Sequence, residues 1–224
     1  MLKAAHALRR LLVPLLPTGL RRRFVRAYWE LRWKQDDPGG PWLDRDVSAD
    51  IVQAVDGGWF AAGSPAIDVG CGRGDVAAWL ASRGFPTVGV DIAPSAIALA
   101  RKTHGEVPGQ LEFLAADVCA EPLPVRRFGV FIDRGCFHQL DTRDRESFAR
   151  NVAIAAAPGA RFLLFVKAFR DGVPIGDPDE RDRRTREVED VFAGSFTIDR
   201  IRETHLDRFA TLPGLVFWMT RRGE

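Results

Sequence analysis

No apolar run in the 224 residues approaches the ~20 needed to span a bilayer, so no transmembrane helix is expected. Cysteine is scarce. Cys71, Cys119 and Cys136 are odd in number and far apart, which gives neither a disulfide framework nor metal-ligand spacing and favours a reducing, cytoplasmic compartment. The four histidines are equally scattered, so no metal site is expected. The leucine-rich stretch Leu11–Leu16 is too short for a signal-peptide core, no small-residue cleavage site follows it, and the arginine-rich leader lacks the serine of an organelle-targeting peptide. Acid is nearly absent from residues 1–35, where nine basic residues meet only Glu30, a balance of +8 within a chain whose net charge is +2. That segment is expected to pack on the more acidic remainder or to touch anionic lipid at a membrane periphery.

The chain is 46% hydrophobic and 28% charged, as a folded domain of ordinary size should be. Its most informative stretch is Ala66-Ile67-Asp68-Val69-Gly70-Cys71-Gly72-Arg73-Gly74-Asp75: a short apolar run, then glycines at alternate positions, then a helical pattern. Glycine serves where the backbone bends sharply or approaches a ligand closely. A second acid, Asp91, closes the next apolar run 23 residues beyond Asp68, near the ~20 expected of an acid that binds ribose hydroxyls in a nucleotide-binding βαβ unit. A dinucleotide fingerprint would place its third glycine where Asp75 stands. That carboxylate repels a pyrophosphate but not a ligand with a positive centre.

Further apolar runs alternate with helical patterns. Strands are predicted at Ala66–Val69, Thr87–Val90, Leu111–Ala116, Phe128–Ile132, Arg161–Val166, Phe196–Glu203 and Leu215–Arg221. Helices are predicted from a Ser48 cap to about Val55, over Asp75–Arg83, from Pro94 to near Gly105, over Arg145–Ala156 up to Pro158-Gly159, and from Thr185 to Phe192 after a charged loop, Arg170–Arg183. This is an α/β, Rossmann-like pattern: seven mostly parallel strands, helices on both faces and an N-terminal helical extension. Residues 1–45 form the basic extension and aromatic lid, and 46–224 the ligand-binding domain. Asp68, Asp91, Asp117 and Asp133 each close a strand, lining one sheet edge with carboxylates suited to a cationic, hydroxyl-rich ligand.

The Asp68-x-Gly70-x-Gly72-x-Gly74 turn resembles the cofactor loop of class I S-adenosylmethionine-dependent methyltransferases, whose cofactor carries a sulfonium, an ammonium and a ribose but no phosphate. The resemblance covers roughly residues 60–222. It implies that Asp68 and the backbone around Gly70, Cys71, Gly72 and Gly74 hold the methionine end of S-adenosyl-L-methionine, with S-adenosyl-L-homocysteine as product. Asp91 then takes the ribose hydroxyls and Ile92 packs beside the adenine. Asp117 and Val118 read the adenine edge, and the segment from Asp133 and Arg134 passes beneath the methyl group. That segment, Asp133-Arg134-Gly135-Cys136-Phe137-His138, lacks the Asn or Asp-Pro-Pro-aromatic signature of enzymes methylating exocyclic amines or glutamine. With Tyr28-Trp29, Trp33, Pro41-Trp42 and Thr185-Arg186-Glu187-Val188, it looks like the thiopurine-methyltransferase-like branch, which acts on small molecules, often soft nucleophiles.

The expected function is methyl transfer to a small-molecule S, O, N or halide nucleophile. His138 is the candidate general base, or a histidine packed on the next helix. Trp29, Trp33, Trp42, Cys136 and Phe137 are the candidate acceptor contacts, although Trp29 and Trp33, four residues apart, also fit one packed helix face. Nucleic acid is not expected as a partner, since the arm lacks regular aromatic interleaving, and a monomer or homodimer is expected. An NAD(P)-dependent oxidoreductase and a non-catalytic cofactor- or nucleic-acid-binding module remain the alternatives.

Overall fold

The structure, a computed structural model, describes residues 16–34, 46–123, 127–168, 178–206 and 212–223. Helix α1 (Thr18–Lys34) begins directly after Pro17, and α2 (Ala49–Asp56) is capped by the Ser48 hydroxyl, which accepts from the Asp50 amide at 3.3 Å. Then follow β1 (Ala66–Val69), α3 (Asp75–Ser82), β2 (Thr87–Asp91), α4 (Pro94–His104), β3 (Leu111–Ala115) and β4 (Phe128–Arg134). A single 3₁₀ turn, Phe137–Gln139, leads into α5 (Thr142–Ala155), β5 (Ala156–Lys167), α6 (Pro178–Phe192), β6 (Phe196–His205) and β7 (Pro213–Arg221).

The seven strands form one sheet in the order β3-β2-β1-β4-β5-β7-β6. The first five are parallel, and β7 inserts antiparallel between β5 and β6. Side chains alternate across this sheet. Ile67, Val69, Phe131 and Phe162 face a core shared with α5 and α6. Ala66, Val130, Ile132 and Phe165 face one shared with α2 and α3. Burial on both faces is why these strands read as unbroken apolar runs. The strand order reverses between β1 and β4, so the loops after these strands open a crevice at their carboxyl ends.

Three elements differ from the sequence reading. Helix α5 starts at Thr142, because the Asp141 side chain accepts from the Asp144 amide at 3.0 Å and caps the helix a turn earlier than expected. Pro158 and Gly159 lie inside β5, in the register shift between the pairs Phe128↔Ala156 and Val130↔Arg161, where a bulge needs no ladder donor. Helix α6 takes residues expected in the charged loop. Its stretch 180–187 is polar yet helical, since Glu180 and Glu187 pair with Arg183 and Arg184 at helical spacings of three and four.

Candidate active site

At the end of β1 the chain turns through Gly70 (φ 72°) and Gly72 (φ 53°), conformations other residues rarely adopt. A Cβ on Gly70 would lie 2.7 Å from Cys136 Cβ, and one on Gly72 2.9 Å from the Trp33 ring. Gly74, expected to touch the cofactor, instead packs inward, its Cα facing Phe113 and Ala100. It therefore serves loop-to-sheet packing. Asp75 opens α3 and sits 3.2 Å from His104 Nε2.

The loop edges a cavity of about 780 Å³. Asp68, Gly70, Cys71, Gly72, Asp91 and Ile92 line one part of it. Asp91 accepts the Gly72 amide at 3.1 Å and the Ala93 amide at 2.9 Å, tying the glycine turn to the end of β2. Burial pushes its carboxyl up to about 6 against the pull of these amides. Burial, then the neighbouring Asp133, pushes Asp68 up to about 7. Asp133 is itself fully buried and reaches about 7 by desolvation.

Asp133 corrects an expectation. Its carboxylate accepts the amides of Gly135 (2.8 Å), Cys136 (2.7 Å) and Phe137 (2.9 Å), so it shapes the segment beyond β4 and does not line the cavity. Phe137 is likewise no acceptor contact. Its ring is fully buried, 5.8 Å from Phe148 and 5.7 Å from Phe192. Arg134 lines the cavity and laces two segments together, donating to the carbonyls of Asp46 (2.7 Å) and Leu206 (3.2 Å).

The roof of the cavity is α1. Arg22, Val25, Trp29 and Trp33, spaced by three and four, present one helical face to it. Ion pairs fix one end of this helix. Arg21, almost fully buried, meets Asp141 and lies 2.7 Å from Asp144, while Arg22 donates to Asp117 and Asp144. At the other end Glu30 accepts the Ser95 amide at 3.0 Å and its hydroxyl at 2.9 Å, at the first turn of α4. Trp29 and Trp33 thus share one packed face and also line the cavity, and Trp33 covers the glycine turn itself. Trp42 lies outside the described residues. Asp117 and Val118, expected to read the adenine edge, both line the cavity, with the Asp117 carboxylate engaged by Arg22 and by the Cys119 amide.

Cys136, packed against the glycine turn, His138, Arg145, Lys167 and Arg184 also line the cavity. The Nδ1 of His138 is buried with no hydrogen-bond partner among the described residues. Burial, followed by the charges of Arg184, Lys167 and Arg145, lowers its pKa to about 3. The ring is therefore neutral near pH 7 and a weaker base than an ordinary imidazole, a property that fits a histidine packed on the next helix better than a general base, the two readings the sequence offered. Burial also holds the Cys71 and Cys136 thiols well above their ordinary pKa, so neither is a ready thiolate nucleophile. The basic residues Arg145, Lys167 and Arg184 of the cavity lining were missed by sequence reasoning, whereas the ion pairs of Arg21 and Arg22 are an instance of the expected packing of the basic segment on the more acidic remainder.

The residues present fit S-adenosylmethionine. Asp68 and Asp91 are buried carboxylates at a glycine turn, suited to an ammonium and to ribose hydroxyls, and the turn leaves no room for added side chains. Among the described residues no group of three or more His, Cys, Asp or Glu is placed to hold a metal ion, and no helix is long and apolar enough to cross a membrane.

Comparison with known proteins agrees with this geometry. Residues 66–159 match the family model of a methyltransferase domain. An uncharacterized methyltransferase of Schizosaccharomyces pombe is 30% identical over 105 residues, which are 47% of this chain and 71% of that protein. A 2-heptyl-1-hydroxyquinolin-4(1H)-one methyltransferase of Mycobacteroides abscessus is 31% identical over 150 residues, 63% of this chain and 65% of that one. Thiocyanate methyltransferase 1 of Arabidopsis thaliana is 28% identical over 173 residues, 76% and 74% of the two chains. The chain spans less than two thirds of the length of several curated relatives it matches. The fold also overlays, with a TM-score of 0.72 and 22% identity over 88% of this chain and 92% of the other, on a protein solved in work on the conversion of a disulfide bond into a thioacetal group during echinomycin biosynthesis. The N-methyltransferase NodS of Bradyrhizobium japonicum, solved with S-adenosyl-L-homocysteine, overlays with a TM-score of 0.62 and 17% identity over 86% of this chain and 92% of its own.

The seven-stranded, mostly parallel sheet is that of the Rossmann-like methyltransferase fold. The chain belongs to the class I S-adenosylmethionine-dependent methyltransferases, and S-adenosylmethionine is its cofactor.

Proposed function

We propose that this enzyme methylates a small molecule held between the α1 roof and the wall formed by Cys136, His138 and Arg145, in the manner of thiopurine-methyltransferase-like enzymes. The observation that carries the reading is a cavity of about 780 Å³ lined by the glycine turn, by Cys136, His138 and Arg145, and by Trp29 and Trp33. Its size falls within the ~300–1,000 Å³ range of small-molecule sites. Two relatives whose names specify small acceptors, a hydroxyquinolinone and thiocyanate, support it.

The cofactor, when bound, supplies an electrophilic methyl group on a sulfonium. The chain's own residues do the positioning. Asp91 would accept from the ribose hydroxyls, Asp68 and the Gly70–Gly72 backbone would take the amino-acid end, and Ile92 and Val118 would flank the base. Arg21, Arg22 and Glu30 hold the roof that shuts out water. Methyl transfer is an in-line displacement, so alignment and desolvation supply most of its acceleration. Calorimetry with S-adenosylhomocysteine, followed by a labelled-methyl screen over thiols, phenols, halides and amines, tests the reading. Saturable cofactor binding with transfer to at least one small acceptor is expected. Binding of NAD in place of the homocysteine cofactor overturns it.

The outer face of α1 supports contact with anionic lipid. Leu20, Phe24 and Leu31 are exposed there, beside exposed Arg23, Arg26 and Lys34. Apolar side chains together with basic charge are the two signals that peripheral membrane binding requires.

A further inference from the structure

Helix α1 carries two apolar stripes on different faces. Val25, Trp29 and Trp33 line the cavity. Leu20, Phe24, Ala27 and Leu31, spaced by four, three and four, form the second stripe and are exposed. Residues at that spacing share one face of a helix. Leu20 is 54% exposed, Phe24 44% and Leu31 51%, and three of the six exposed large hydrophobic residues among those described lie on this one helix. A surface helix ordinarily turns an apolar face inward and a polar face outward. The inner stripe of α1 follows that rule, whereas the outer stripe meets no core. Basic charge adjoins it. Arg23, four residues before Ala27, is exposed, and Lys34, three residues after Leu31, stays exposed while pairing with Glu30 at 3.1 Å. The chain through residue 45 holds ten basic residues against four acids, so the complement of this face is anionic. Two copies paired through it about a twofold axis would bring like charges together. Beneath the helix, Leu140, Leu206 and Leu212 join the two indoles in the cavity lining.

We propose that α1 lies with its outer stripe on an anionic phospholipid bilayer, and that the methyl acceptor is an amphiphile dissolved in that bilayer. Its nucleophilic end would reach the cofactor, and its apolar body would pack against Trp29, Trp33 and the leucines. This rests on the methyltransferase reading and on lipid contact by α1, and names the acceptor class. A helix with its side chains is about 10–12 Å across, so bilayer and cavity lie on two sides of a single helix. Each methylene favours an apolar phase about fourfold. An acceptor with a long alkyl chain is therefore scarce in water and concentrated in the membrane, where an enzyme seated on the surface meets it. In the transfer, the nucleophile's lone pair bonds the methyl carbon while the carbon–sulfur bond breaks and its electrons pass to sulfur. A proton carried by the nucleophile leaves to water.

The test uses the full chain with ethyl and hexyl homologues of a phenol, a thiol and an amine. Calorimetry without vesicles, in the presence of S-adenosylhomocysteine, should show at least one hexyl probe binding at least tenfold more tightly than its ethyl partner. With labelled S-adenosylmethionine, vesicles containing phosphatidylglycerol should raise transfer to that hexyl probe at least threefold at equal total concentration. Transfer to the ethyl probe should stay within about twofold, and neutral phosphatidylcholine vesicles should give no stimulation. Phe24→Glu with Leu31→Glu should remove the stimulation, while affinity for S-adenosylhomocysteine and hexyl binding without vesicles stay within about twofold. Slower transfer to the hexyl probe with phosphatidylglycerol vesicles overturns the proposal, because a bilayer withdraws such a substrate from an enzyme working in water. Equal binding of ethyl and hexyl probes, stimulation that survives the double substitution, or no transfer to any hexyl probe also overturns it. A dimer in sedimentation that the double substitution dissolves assigns the stripe to a second copy and overturns it as well. Failure to bind S-adenosylhomocysteine at all counts against the methyltransferase reading itself, so the two failures are distinguishable.

Discussion

Arg22 reaches from the roof helix to the end of β3, its Nε 2.7 Å from Asp117 Oδ2, and joins positions 95 residues apart. The same guanidinium donates to Asp144, so one buried cation holds two buried carboxylates and closes one end of the cofactor cavity. Breaking a buried pair by removing one partner costs about 3–5 kcal/mol, because the other charges stay desolvated. Arg22→Met should therefore lower unfolding stability by about that amount and loosen cofactor binding as the roof detaches. Urea denaturation with and without S-adenosylhomocysteine reads both effects. A loss below about 1 kcal/mol would show that the clamp is incidental.

The Asp91 carboxylate organises the glycine turn and faces the ribose position. Asp91→Ala should weaken cofactor affinity by about 1–3 kcal/mol, the usual cost of leaving hydrogen-bond partners unsatisfied. Calorimetry with S-adenosylhomocysteine measures it, and an unchanged affinity would place the ribose elsewhere.

Gly72 and Trp33 are in direct contact. Gly72→Ala adds a Cβ 2.9 Å from the Trp33 ring at a φ of 53°. The left-handed conformation alone costs a non-glycine residue about 1–2 kcal/mol. The single variant should lose both cofactor affinity and stability. Combining it with Trp33→Ala should restore the steric share but not the backbone share. A double-mutant cycle separates the two, and strict additivity would mean that ring and turn do not touch in solution.

Stability should depend on pH through the buried acids. Asp68 and Asp133 sit at about 7 and Asp91 at about 6, against 3.8 for an unperturbed aspartate. Folded pKa values above unfolded ones mean that the native state holds more protons between about pH 4 and 7, so these groups make the cofactor-free protein less stable as pH rises through that window. The cationic cofactor needs Asp68 and Asp91 ionised, so its affinity should rise over the same range. Melting temperatures from pH 5 to 8 should fall in the free protein, and Asp68→Asn should flatten the fall. A native profile that climbs toward pH 8, with Asp68→Asn no different, would refute the assignment.

Lipid contact predicts that the enzyme floats with vesicles containing phosphatidylglycerol but not with neutral phosphatidylcholine vesicles. Salt should weaken the association, and Phe24→Glu with Leu31→Glu should abolish it while leaving S-adenosylhomocysteine binding intact. Equal partitioning to neutral vesicles, or binding of RNA in place of lipid, would rule this contact out.

The order of elements, the Ser48 cap, the glycine turn and the acid closing β2 were legible in the sequence because each is set by neighbours. A strand buried on both faces needs an apolar run, a left-handed turn needs glycine, and a helix start needs a capping oxygen. Local pattern also sufficed to bring Asp68, Gly70, Gly72, Asp91 and Ile92 to one crevice, since every parallel strand delivers its last residue to the same sheet edge. It did not suffice for residues whose role depends on distant partners. Asp133 reads like the other strand-ending acids, yet it is spent on three amides of its own loop. Phe137 reads as an acceptor contact, yet it turns into the phenylalanine core. The basic N-terminus reads as a segment that packs on acidic surface or lipid, without naming its partners. Only the packed fold sets Arg21 and Arg22 against carboxylates 95 to 123 residues away and makes their helix the roof of the cavity. Periodicity along a chain fixes which face a side chain occupies, but the partner it meets there depends on how separate elements pack.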